Sequence, residues 1–238
     1  MFTLHNFKIG NQNLETLLFA DDQAVLASTE DDLQRSLHQL SIVAAEYNLD
    51  ISTEKTKVMS FYGKEPVRTK ITIKNIPVEQ VMNFNYLGVN VGNDRTKNIN
   101  KKINIFQHIC GTIRRALGRK VRKETLLKFY KVLAVPMLLY GSECWTLNKE
   151  LIRRLEVAEM KFLRFVAGYT LMDKKKNEDI RRELKMFNLT MKIEEYRRNW
   201  HEHICRMGPE RIAHRVLNYK PRGRRSQGRP VGRWIQQL

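Results

Sequence analysis

Leu17-Leu18-Phe19-Ala20-Asp21-Asp22-Gln23-Ala24-Val25-Leu26-Ala27 sets two acids between two short apolar runs. Short apolar runs on either side of a polar break read as the strands of a hairpin, with the acids at its tip. Asp21 and Asp22 have no cation beside them in sequence, and adjacent carboxylates repel unless a positive charge comes near. Such a tip suits Mg²⁺, a hard cation that takes oxygen ligands and keeps several waters. A solvated Asp-Asp turn is the plainer reading of this segment taken alone.

The charge around the hairpin is uneven. Residues 1–63 carry a net −5 and residues 64–238 a net +23. An acidic head on a long basic body points to polyanion binding, with a local site that concentrates metal rather than phosphate. At 238 residues and 42% hydrophobic content the chain has enough material for a core. Cys110, Cys144 and Cys205 are odd in number and far apart, so no disulfide framework is implied and a reducing compartment is expected. No run approaches the ~18–20 apolar residues of a membrane span, and the first residues do not resemble a signal peptide. A nuclear or cytoplasmic protein without membrane partners is the expectation.

After the hairpin, Ser28-Thr29-Glu30-Asp31-Asp32 signals a helix start with acids in its first turn. Leu33, Leu37, Leu40, Ala44 and Tyr47 mark one face, and Asn48 suits a left-handed helix end. Strand-like segments follow at Lys57–Tyr62, Arg68–Lys74 and Asn85–Val91. To residue 91 the pattern is α+β, one helix on a small antiparallel sheet. From Asp94 it turns helical. Ile99, Ile103, Phe106, Cys110, Ile113 and Leu117 form a stripe ending at Gly118. A second helix runs from Glu124 toward Leu133, limited or kinked by Pro136. Leu151, Leu155, Ala158, Phe162 and Phe165 form a third stripe that stops at Gly168. Ile180 with Leu184 marks a short helix; Ile193, Tyr196, Trp200, Ile204 and Met207 another; and Ile212–Leu217 a last one. All these stripes read as core packing. Lys220-Pro221-Arg222-Gly223-Arg224-Arg225-Ser226-Gln227-Gly228-Arg229-Pro230 has no apolar face, which suggests disorder until a polyanion is met.

The order of these pieces carries a resemblance. The acid-pair hairpin, an amphipathic helix, the lysine-bearing return Asn48-Leu49-Asp50-Ile51-Ser52-Thr53-Glu54-Lys55 and then Phe84-Asn85-Tyr86-Leu87-Gly88 resemble the second half of a reverse transcriptase palm. The spacing is similar to the non-LTR, LINE-type retrotransposon family. Pro136-x-Leu138-Leu139-Tyr140-Gly141-x-Glu143-x-Trp145, Trp200-x-x-His203-Ile204-x-Arg206 and Gly223-Arg224-Arg225-Ser226-x-Gly228-Arg229-Pro230 look like C-terminal segments of such elements. The resemblance thus covers nearly the whole chain. It implies a partial palm over residues 1–91, a helical thumb over 92–145, a C-terminal helical region over 146–219 and a basic tail over 220–238.

The resemblance also implies an RNA-directed DNA polymerase that uses an RNA template, a DNA primer and deoxynucleoside triphosphates. Its two-metal chemistry holds cations ~3.5–4 Å apart, with Mg²⁺, or Mn²⁺ in its place, on Asp21 as the principal ligand and on the adjacent Asp22 as a secondary one, since successive strand side chains point to opposite faces. Phe19 would pack near the tip and shape the floor of the site. Lys55 is a candidate for contacting or protonating the leaving pyrophosphate, or else a solvated surface lysine. Phe84, Tyr86, Leu87 and Gly88 correspond to the primer grip, with plain sheet core as the alternative. Lys101, Lys102, Arg114, Arg115, Arg119, Lys120, Arg122 and Lys123 flank the first thumb helices and would neutralise phosphates without reading sequence. Arg222, Arg224, Arg225 and Arg229 in the tail would do the same.

Three departures from the family pattern qualify this. Asn48 stands where the family has Gly, and Ser52 where it has Asn. The family's first catalytic aspartate, nucleotide-selecting helix and fingers would lie before Met1. The expectation is therefore an N-terminally truncated element with little or no polymerase activity alone. The alternative is an inactive, basic nucleic-acid-binding remnant. His201, His203, Cys205 and His214 are not expected to bind zinc, because on a helix only His201 and Cys205 share a face.

Overall fold

The computed structural model describes residues 7–9, 12–61, 67–92, 94–220 and 234. The chain forms two compact units, one of residues 1–93 with 207–223, the other of 94–206 with 224–238.

In the first unit β1 (Phe7–Ile9) pairs with β2 (Gln12–Leu14), and β3 (Thr16–Phe19) with β4 (Asp22–Val25), both antiparallel. Helix α1 (Glu30–Glu46) follows. Its start is closed reciprocally: the Asp32 N–H donates to Thr29 Oγ1 at 3.2 Å, and the Thr29 hydroxyl donates to Asp32 Oδ2 at 2.6 Å. Asn48, at φ +56°, takes the left-handed conformation expected of it.

The remaining strands depart from the three expected: those at 57–62 and 68–74 are shorter, the segment 85–91 is broken by a turn at Leu87-Gly88 into a hairpin, and two further short strands appear between them. In order the strands are β5 (Lys57–Val58), β6 (Thr72–Ile73), β7 (Ile76–Pro77), β8 (Glu79–Gln80), β9 (Asn83–Tyr86) and β10 (Val89–Gly92). Among the described residues they make two-stranded ladders and not one antiparallel sheet, and β5 pairs with β8 in parallel. The cause is visible at residues 69–72, where side chains take bonds that a neighbouring strand would otherwise make. The Lys70 N–H donates to Glu30 Oε1 (2.6 Å) and the Thr69 N–H to Gln80 Oε1 (2.9 Å). Gln34 of α1 clasps both the N–H and the carbonyl of Thr72 at 2.9 Å each. Leu37, Val58, Ile71, Ile73 and Val78 form the core, with Val25, Leu33, Leu40 and Ile51 against it. Tyr47, the last member of the α1 stripe, is exposed because the helix has ended. Helix α8 (Ile212–Asn218) buries no residue, so its apolar positions are not core.

The second unit is helical. Helix α2 (Arg95–Ala116) buries Ile99, Ile103, Phe106, Cys110 and Ile113 along one face. Then α3 (Lys123–Phe129), a π turn (Tyr130–Ala134) and α4 (Val135–Leu139) make one continuous run. The helix passes through Pro136 instead of ending near Leu133. Pro136 lies in the first turn of α4, where its missing N–H is tolerated, and the Val135 N–H reaches back five residues to the Tyr130 carbonyl. Helix α5 (Lys149–Ala167) begins at Asn148, whose side chain accepts from the Leu151 N–H, and ends at Gly168 with φ +90°.

Helices α6 (Asn177–Glu183) and α7 (Leu189–Cys205) complete the bundle. In α7 the stripe expectation is half right. Ile193 and Ile204 are buried, but Tyr196 and Trp200 are exposed and Arg197 is buried at 2% in their place. Arg197 Nη2 donates to the Trp234 carbonyl at 3.0 Å, and the Trp234 indole N–H donates to the Glu143 carbonyl at 2.6 Å. A second buried cation, Arg181 of α6, donates to Glu159 Oε2 of α5 through Nη2 (2.6 Å) and Nε (3.2 Å). Burial pushes the Glu159 carboxyl up, against the pull of Arg181.

Candidate metal and nucleic-acid sites

The acid pair stands at the tip of the β3–β4 hairpin. Phe19 faces Asp22 across the ladder, so Ala20 and Asp21 form a two-residue turn, with Ala20 at φ +50°. Asp21 therefore belongs to the turn, Asp22 to the first position of β4, and both are exposed. Among the described residues the base of the hairpin is tied down through Val25 against the core. Phe19 is 61% exposed and Leu18 72%, so within the described residues Phe19 does not shape a packed floor.

Two neighbouring carboxylates suit Mg²⁺, which is commonly held by one or two carboxylates, with waters and substrate phosphates completing its shell. Among the described residues no group of three His, Cys, Asp or Glu comes together as a metal cluster, at the hairpin or away from it. Lys55 lies in an exposed turn fixed by Thr56, whose N–H (2.9 Å) and hydroxyl (2.7 Å) both donate to the Ser52 carbonyl. Its ammonium makes no ion pair with Asp21 or Asp22.

The second hairpin joins β9 to β10, with Tyr86 facing Val89 and Phe84 facing Val91. Leu87 (φ +48°) and Gly88 (φ +74°) form its turn, the two left-handed residues of a type I′ connection. Phe84, Tyr86 and Leu87 are half-buried and Gly88 is exposed.

Most of the basic positions singled out from sequence are exposed: Lys101, Arg114, Arg115, Lys120, Arg122 and Lys123. Three of them have partners, Arg114 over the Phe165 ring at 4.8 Å and two through hydrogen bonds. Lys123 Nζ donates to the Ala167 carbonyl at 3.0 Å, and Arg115 Nη2 to Thr112 Oγ1 at 3.2 Å. Lys102 departs from the expected surface role. It is only 7% exposed, its ammonium lies 4.9 Å from the centre of the Tyr140 ring, and burial with the neighbouring Lys101 lowers its pKa against the pull of Glu143. A cation so enclosed is packed into the bundle and is not offered to a phosphate. The side chain of Arg119, together with Arg222, Arg224, Arg225 and Arg229, lies outside the described residues, as does the tail around them. His201 and Cys205 are in contact (Sγ to Nε2 3.6 Å), one helical turn apart.

Sequence reading missed a cleft of about 960 Å³ in the second unit, whose lining includes Arg114, Lys161, Arg164, Phe165 and Tyr169. Its only sequence signal is cationic residues set beside the apolar stripe of α5.

No helix among the described residues is long and apolar enough to cross a membrane. Residues 2–91 match the family model described as reverse transcriptase (RNA-dependent DNA polymerase). A protein of Caenorhabditis elegans, named as an uncharacterized transposon-derived protein, is 23% identical over 240 aligned residues, covering 97% of this chain and 86% of that protein. A Drosophila melanogaster protein named "Probable RNA-directed DNA polymerase from transposon X-element" is 23% identical over 232 residues, or 89% of this chain. The chain spans only 24% of that polymerase. No solved structure matches. Residues 2–91 are thus reverse-transcriptase-like, and along most of its length the chain is similar to proteins of transposons.

Proposed function

We propose that the chain is the second half of the palm, the thumb and the C-terminal region of a non-LTR retrotransposon reverse transcriptase. The observation that carries this reading is the acid pair exposed at the tip of a two-residue hairpin turn inside the reverse-transcriptase-like segment. Asp21 and Asp22 would hold a divalent cation, which would supply charge neutralisation at the attacking hydroxyl and the leaving oxygens. The rest of the work falls to the chain itself. The Leu87-Gly88 turn brings backbone close to the primer strand, Phe84 and Tyr86 give it a stiff surface, and the exposed cations of α2 and α3 take up phosphates of template and primer. Lys55 approaches the leaving pyrophosphate from its turn. On this reading a further carboxylate comes from outside the described residues, and polymerisation belongs to a longer assembly.

Primer extension on an RNA template with Mg²⁺ tests this. The full chain is assayed alone and together with the polypeptide encoded immediately upstream of it. Extension is expected only with both parts, and only when Asp21 and Asp22 are intact. Extension unaffected by Asp21→Asn with Asp22→Asn would overturn the reading. A second reading, a non-catalytic nucleic-acid-binding protein, draws on the exposed cations of the basic second unit. It expects no extension in either arrangement but binding that falls steeply with salt.

A further inference from the structure

The second unit contains a cleft that shares Arg114 and Lys123 with the cations of α2 and α3 and is otherwise not used by the polymerase reading. It lies along the C-terminal half of α5, beside α3 and the segment after Gly168, and measures about 960 Å³. Leu126, Met160, Phe165 and Val166 give it an apolar floor, and Arg114, Lys123, Lys161 and Arg164 a cationic rim. The one acid in its lining, Glu156, is engaged, accepting from Asn177 Nδ2 at 3.1 Å and lying 3.5 Å from Arg181 Nη2. Arg164 is held in place by Nη2, which donates to the Lys175 carbonyl (2.8 Å) and Asn177 Oδ1 (2.9 Å). Its Nη1 is buried and has no partner among the described residues, so Arg164 frames the cleft and phosphate contact falls to Arg114, Lys123 and Lys161.

Two aromatic rings in the lining carry cations. The Arg114 guanidinium is 4.8 Å from the centre of the Phe165 ring, and the Lys175 ammonium 5.6 Å from that of Tyr169. We propose that this cleft takes unpaired nucleotides of a single-stranded nucleic acid, bases against the apolar floor and phosphates on the rim. The proposal rests on the nucleic-acid reading above and names a second binding surface within it. Charge complementarity selects a polyanion. The flat guanidinium and ring faces suit a base, since stacking on aromatic and arginine planes tolerates any sequence. A cleft at the upper end of the usual ~300–1,000 Å³ for ligand sites admits bases one at a time, whereas a duplex spreads its contacts over ~1,000–2,500 Å² of surface.

The test uses the full chain with a labelled oligothymidylate about twelve nucleotides long and a duplex of equal length. Lys161 and Val157 are exposed, so Lys161→Glu and Val157→Glu are expected to fold. Each should weaken single-strand binding about tenfold or more. Lys131→Glu makes the same charge change as Lys161→Glu at an exposed lysine outside the cleft and should weaken it less than about threefold. The duplex should respond alike to Lys131→Glu and Lys161→Glu. Phe165→Leu, which keeps the floor apolar but removes the ring, should cost about fivefold.

Equal effects of Lys161→Glu and Lys131→Glu on the single strand would overturn the proposal, as would an unchanged affinity in Phe165→Leu. So would a peptide of alternating glutamate and leucine that binds in a Lys161-dependent way and resists displacement by the oligonucleotide. Oligothymidylate affinity is measured without divalent cation, so failure of the metal site and failure of this cleft are read separately.

Discussion

Among the described residues the first unit is held by five buried apolar side chains and the second by a cluster of twenty-six. The first carries the acid pair on a hairpin that leaves Leu17, Leu18 and Phe19 exposed. The second encloses two arginines and a lysine inside its bundle. A site for a hydrated cation must keep its carboxylates in water, and a two-residue tip does so at the cost of burial. A helical bundle buries stripes on several faces and has stability to spare for enclosed charge. The unit that bears the candidate chemistry is therefore the more weakly held of the two.

The largest effect expected from this contrast is at Glu159. Glu159→Ala leaves Arg181 enclosed with only Glu156, 3.5 Å away, as a carboxylate partner. Urea unfolding should show a loss of about 3 kcal/mol in the transition of the second unit, while an unchanged midpoint would mean that the pair is not enclosed. Next comes a matched truncation. Leu155→Ala in the bundle should cost about 2–5 kcal/mol, and Leu18→Ala on the hairpin less than about 0.5 kcal/mol. Similar costs at both positions would erase the contrast.

Lys102 sharpens it further. Lys102→Met keeps the stem and removes the enclosed charge, so stability should be unchanged or rise by up to about 1 kcal/mol. Because the folded state lowers this lysine's pKa, the unfolded chain binds the extra proton first. The wild type should therefore gain stability relative to Lys102→Met as pH rises toward the ordinary lysine value of 10.5. Affinity for nucleic acid should be unaffected by Lys102→Met and reduced by Lys101→Met, which binding titrations at fixed salt decide. The smallest effect is at Leu87, a bulky residue at φ +48°. Leu87→Gly should stabilise the first unit by no more than about 1 kcal/mol, measured by thermal melting.

The same contrast governs how much of the molecule is legible in its sequence. The helices of the second unit are, because stripes such as Ile99 to Ile113 and Leu151 to Phe162 repeat with a period that burial enforces. The acid hairpin is legible too, since two apolar runs flank the polar break, although its turn is Ala20-Asp21 and Asp22 already opens β4. The short ladders are not. Their bonds are taken by Gln34, Glu30 and Gln80, side chains up to forty residues away whose partners no local pattern announces. Lys102 is misplaced, and the burial of Arg197 unannounced, for the same reason, because a cation reads as exposed until Tyr140 and Trp234 are folded against it. The cleft beside α5 is built from three separated segments and has no single stretch that spells it.

Electron paramagnetic resonance of Mn²⁺ with the full chain bound to template–primer and a nucleoside triphosphate tests the acid hairpin most directly. Protein-dependent Mn²⁺ binding that disappears in Asp21→Asn with Asp22→Asn is the predicted result. Equal binding by the wild type and the double variant would contradict it.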